Sequence, residues 1–144
     1  MNLEKAIAAY ELALKVRTKK DFPEEWATIQ NNLGAAYRNK IHGDKAENLE
    51  KAIAAYELAL KVRTKKDFPE EWASTQNNLG AAYSDRIRGD KAENLEKAIA
   101  AYELALKVRT KKDFPEEWAS TQNNLGLAYR NRIRWDRAWN LEKA

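Results

Sequence analysis

At 144 residues the chain holds one ordinary domain or one short solenoid, and no run of about 18 apolar residues is present to span a membrane. The absence of cysteine excludes disulfides and thiolate metal sites and fits a reducing, cytoplasmic setting, and the opening MNLEKAIAAY carries charge where a signal peptide needs an apolar run. The net charge of +4 comes from 26 Lys+Arg against 22 Asp+Glu, and much of the basic excess recurs in one string, KVRTKKD.

The segment NLEKAIAAYELALKVRTKKDFPEEWA begins at Asn2, again at Asn48 and again at Asn94, and a fourth copy opens at Asn140. Residues 1–144 therefore read as a single repeat domain of units 2–47, 48–93 and 94–139 with a remnant at 140–144. Self-similarity at such a period marks a stacked array, and arrays are scaffolds far more often than catalysts.

In chain order, residues 2–20 form the first expected helix, and its sequence returns in the helices expected at 45–66 and 91–112. In the middle copy Leu49, Ala52, Ile53, Tyr56, Ala59 and Leu60 follow an i, i+3, i+4, i+7 pattern. Ala55, Leu58 and Val62 add a second stripe, so this Ala-rich helix is expected to pack between two neighbours. Asp44 and Glu47 have the spacing of a capping box, with Asn48 as a rival cap. Lys61, Arg63, Lys65 and Lys66 then fall near the helix end, where cations complement the negative end of the dipole.

A second helix type follows at 23–41, 69–87 and 115–133. Pro69 suits its first turn, with Glu70 and Glu71 at its positive end. Trp72, Gln76, Leu79, Gly80, Tyr83 and Ile87 share one face as the packing face. A glycine inside a helix costs roughly 1 kcal/mol against alanine, so Gly80 is expected at a tight crossing with another helix backbone. Gly89 reads as the C-terminal stop. The fold class is all-α: stacked antiparallel helical hairpins, with no strand signal.

Leu79, Gly80 and Tyr83, then Gly89 and Asp90, then Ala98, Tyr102 and Ala105, with Pro115 closing the unit, resemble the tetratricopeptide repeat. Leu33, Gly34, Tyr37 and Leu125, Gly126, Tyr129 supply the same string in the other copies. The unit is about 12 residues longer than the family's 34 or so, and is similar to the long-unit branch found in kinesin light chains and bacterial multidomain signalling proteins. The resemblance implies a right-handed α-solenoid whose Pro-led helices line a concave groove that binds peptides or protein surfaces.

Differences between copies fall in the Pro-led helix or the turn after it, including Thr28/Ser74, Ile29/Thr75, Arg38/Ser84/Arg130, Asn39/Asp85/Asn131 and His42/Arg88/Arg134. Of these, Thr28, Arg38, Asn39, His42 and their equivalents, together with Ala35, Ala81 and Leu127, are expected on the groove face. Asn32, Asn78 and Asn124 would form a ladder there, since an amide can both donate to and accept from an extended peptide backbone. The arginines at 38, 88, 130 and 134 would favour acidic partners. One histidine and no cysteine give no metal site; no phosphate loop or nucleophile motif occurs, so neither an enzyme nor a cofactor is expected. The alternatives are a single-stranded RNA-binding helical repeat, which the use of Trp72, Tyr83 and Tyr102 in packing disfavours, and a purely structural self-associating array.

The last unit departs from the others. Trp135 replaces Gly89 and Trp139 replaces Glu93, so the final helix is expected to run on into the remnant. Trp135 and Trp139 are candidates for self-association, through an end-to-end contact using residues 2–20 or a two-fold contact between the Trp-bearing ends.

Overall fold

Asn2, Asp44 and Asp90 sit one residue ahead of the three Ala-rich helices and cap each through the side chain. Asn2 Oδ1 accepts from the Lys5 amide at 3.2 Å, and Asp90 Oδ1 from the Ala92 amide at 2.9 Å. Asp44 Oδ1 accepts from the amides of Ala46 and Glu47 at 3.0 and 3.4 Å, which places the cap at Asp44 rather than Asn48. The computed structural model describes residues 2–143, with side chains described for 2–138. Its helices are α1 (Leu3–Leu14), α2 (Pro23–Asn39), α3 (Lys45–Leu60), α4 (Pro69–Asp85), α5 (Lys91–Leu106) and α6 (Pro115–Lys143). The described residues contain no strand.

The Ala-rich helices are shorter than their periodicity suggested. α3 leaves the helix after Leu60, and the amides of Val62 and Arg63 both bond to the Ala59 carbonyl, at 3.1 and 2.9 Å. Thr64 Oγ1 then accepts from the Asp67 amide at 3.2 Å, closing a side-chain turn that competes with further helix. Lys61 is the C-cap of α3 and stands at the negative end of the dipole, while Lys65 and Lys66 lie in the turn beyond it.

α4 likewise ends at Asp85, because Arg86 turns out of the helix to form two-pronged bonds with Glu50 at 2.8 and 2.9 Å. Asn94, almost fully buried, accepts from Arg86 and donates to the Arg88 carbonyl at 2.9 Å, fixing the loop. Ile87 is left 60% exposed, off the packing face where it was expected. Gly89 is no helix stop; at φ +83° it makes the left-handed bend just before the Asp90 cap. Trp135 occupies that position in the third unit, and α6 runs unbroken through it.

Each Ala-rich helix packs on the Pro-led helix before it and the one after it. α2 also touches α4, and α4 touches α6, whereas α1, α3 and α5 make no contact with one another among the described residues. The Pro-led helices therefore form the tight inner row of an all-α helical-repeat solenoid, and the array bends toward them. Its core is a chain of small clusters, such as Ala52, Ile53, Tyr56, Leu79 and Ala82, then Ala98, Ile99, Tyr102, Leu125 and Ala128. Alanine lets the helices approach and tyrosine fills the space between them. A Cβ built on Gly34 would lie 2.7 Å from the Tyr56 ring, and one on Gly80 2.7 Å from Tyr102. The expected tight crossing exists, but a ring and not a backbone fills it.

Candidate functional site

The inner row is held together by side-chain rungs. Asn78 Nδ2 donates to Asn31 Oδ1, and Asn124 Nδ2 to Asn77 Oδ1, both at 3.3 Å. The expected ladder therefore spends one amide donor of Asn78 and one of Asn124 on the neighbouring helix. Asn32, which has no such partner, lines an open hollow of about 380 Å³ with Ala35, Asn39 and Tyr10.

The remaining expected groove residues differ in exposure and in partners. Arg38 Nε pairs with Asp85 Oδ2 at 3.0 Å across the α2–α4 joint. Ala81 and Ser84 are half-buried, and the Ser84 carbonyl accepts from Lys91 Nζ at 2.8 Å. His42 and Arg88 sit in the loops after α2 and α4, at the array's edge, where Arg88 pairs with Glu47 at 3.1 Å. Leu127, Arg130, Arg134 and Trp135 are exposed on α6 and Asn131 is half-buried. Trp135 lies beside Asp90 and Ala92, while the side chain of Trp139 falls outside the described residues.

A second site, which the copy differences Thr28/Ser74 and Ile29/Thr75 touch, lies at the other end of the inner helices. Arg63 and Arg109 turn inward from the loops after α3 and α5. Arg63 donates to Thr75 and to Thr28 at 3.1 Å each, and Arg109 donates to Thr121 at 3.4 Å. The Thr75 hydroxyl donates in turn to Asn31 Oδ1 at 3.1 Å, and that of Thr121 to Asn77 Oδ1 at 3.2 Å. Burial pulls both guanidinium pKa values below their usual range; Glu71 opposes this at Arg63, and Glu117 and Glu70 oppose it at Arg109. In the first unit Ile29 stands where threonine would be, and Arg17 swings out to pair with Glu25 at 2.7 Å.

Around these arginines the surface opens into a cleft of about 360 Å³, floored by Val108 and Phe114 and edged by Glu70, Glu117 and Ser74. One unit earlier the same positions recur as Val62, Phe68, Glu24, Glu71 and Thr28, in a smaller hollow of about 110 Å³. The repeating string KVRTKKDF already contained the arginine, valine and phenylalanine, but their direction depends on threonines that are distant in sequence.

The tetratricopeptide repeat family model matches residues 26–70, 72–116 and 118–143. The chain belongs to the tetratricopeptide repeat family. Repeats of this family are generally protein–protein interaction modules and non-catalytic scaffolds. Each match begins at the tryptophan of a Pro-led helix, so the family's unit pairs α2 with α3 and α4 with α5. No similar curated protein and no similar solved structure was found. Among the described residues of this tetratricopeptide array, no helix is long and apolar enough to cross a membrane, and no group of three His, Asp or Glu could hold a metal ion.

Proposed function

We propose that the array is a scaffold that binds an extended segment of a partner protein along its inner row. One observation carries this reading: the same cleft recurs one unit apart, with valine and phenylalanine walls, an inward arginine and carboxylates at the rim. A repeated pocket suits a ligand that advances in register with the repeats. The expectation of an acidic partner is narrowed by the pairing of Arg38 with Asp85 and of Arg88 with Glu47. Acidic groups would be drawn to the exposed Arg130 and Arg134 on α6, while the clefts, edged by Glu24, Glu70, Glu71 and Glu117, suit basic or hydroxyl side chains with aliphatic stems.

Panning a random peptide library against the intact chain tests the proposal. Enriched peptides should carry Lys, Arg, Ser or Thr at a regular spacing and should lose binding to Glu70→Lys/Glu117→Lys. Failure to enrich any peptide, or enrichment of peptides that bind that double variant equally well, would reject it.

A further inference from the structure

We propose that copies of this chain join head to tail, with α1 of one copy seated on α6 of the next and Tyr10 covering Gly126. The joint is already present twice inside the chain. Residues 2–27 are identical to 48–73 and 94–119, so α1 carries the same side chains as α3 and α5. In the interior, Tyr56 covers Gly34 and Tyr102 covers Gly80. At Gly126 nothing lies within 4 Å of the corresponding Cβ position. Ala27 and Ala73 are wholly buried beneath their covering helices, yet Ala119, the same residue on α6, is exposed. α6 continues straight through Trp135, and none of the described residues bends back over this seat.

The other half of the joint is open as well. Leu3, Ala6 and Tyr10 on α1 and Asn32 and Asn39 on α2 line a hollow of about 380 Å³, at the place where an interior unit receives the preceding Pro-led helix. Filling it with α6 of another copy would set Asn32 opposite Asn123, repeating the rung that Asn78 makes with Asn31. Two rungs would be weaker than inside. Ile29 cannot replace the Thr75 hydroxyl, and Arg130 would meet the neutral Asn39 where Arg38 meets Asp85. The joint is thus a diluted copy of the interior one and dissociates on dilution. It is heterologous, so it does not close at two copies.

Light scattering on the 144-residue chain across a concentration series reads this directly. The weight-average mass should rise from 16.6 kDa to more than twice that value without a plateau. Gly126→Leu places a side chain where Tyr10 would sit, at a position whose Cβ has no atom within 4 Å in the single copy. It should retain the circular dichroism of the parent and remain at the monomer mass. A parent that stays monomeric at every concentration would overturn the proposal, as would a Gly126→Leu variant that associates like the parent. A plateau at two copies that disappears in Trp135→Gly would also overturn it, in favour of a two-fold contact through the tryptophan end.

Discussion

Adding one methyl group at Gly80 and the same methyl at Gly126 should move stability in opposite directions. Both glycines lie inside helices, where alanine is intrinsically favoured by about 1 kcal/mol. At Gly80 the new carbon would stand 2.7 Å from Tyr102 Cε1 and 2.9 Å from Cδ1. Carbon atoms pack best at about 3.5–4.0 Å, so the ring must retreat by about 1 Å. It has nowhere to go, being 2% exposed and walled by Ala98, Ile99, Leu125 and Ala128. Overpacking of this kind costs about 1–3 kcal/mol, and with a ring this enclosed the upper part of that range exceeds the helix preference, leaving Gly80→Ala destabilised by up to about 2 kcal/mol. At Gly126 no atom is met, so Gly126→Ala retains the helix gain of up to about 1 kcal/mol. Urea unfolding followed by far-UV circular dichroism, at concentrations where the parent is monomeric, gives both values. Shifts of the same sign at the two sites would refute the assignment of Tyr102 as the reason for Gly80.

Three further outcomes follow from the rungs and the tyrosines. Thr75→Ile should lower stability by about 1–3 kcal/mol, since Arg63 and Asn31 each lose a hydrogen-bond partner, while Ile29→Thr should leave it nearly unchanged; chemical denaturation compares them. Glu50 is held below its usual pKa, first by the hydrogen bonds from Arg86. Its contribution is therefore present above the unfolded value of about 4.3 and is lost as pH falls through the folded one, so Arg86→Gln should flatten the acid limb of a stability–pH curve. Burial pushes the Tyr56 pKa up to about 12, so its stabilising effect is complete below about pH 10 and disappears as pH rises toward the folded value. Tyr56 should therefore ionise later than an exposed tyrosine, and a midpoint at about pH 10 for this residue in the folded chain would contradict its placement.

The helix count and type were legible in the sequence because each unit repeats one apolar pattern and one proline. The helix ends were not. Val62 continues the apolar stripe of Ala55 and Leu58, yet Thr64 and Asp67 form a local turn that the period does not register. Arg86 left α4 early for Glu50, 36 residues away, a pairing that no local pattern displays. For the candidate site, Gly80 signalled a close contact without naming the ring that makes it. The asparagine ladder was visible as a repeat, but whether position 31 or 32 faces the next helix depends on how the helices are rotated in the stack. Arg63 is accounted for in the sequence by the helix end, which hides its inward turn, and the Ile29/Thr75 difference beside this turn is one copy difference among several along the Pro-led helix.

Identity of α1, α3 and α5 leaves the folding chain with interchangeable pieces. The seat on α2 that α3 fills would be filled equally well, contact for contact, by α5. Choosing the wrong one loops out a whole unit, and lengthening a closed loop about tenfold adds only about 2 kcal/mol of closure entropy. What else selects the correct partner is the small set of positions where the Pro-led helices differ, Thr75 and the Arg38–Asp85 pair among them. Refolding from denaturant should accordingly pass through skipped-unit pairings that must reopen before the array completes. Repetition that makes every native joint alike also makes the competing joints nearly as good, and it limits how fast this chain finds its register.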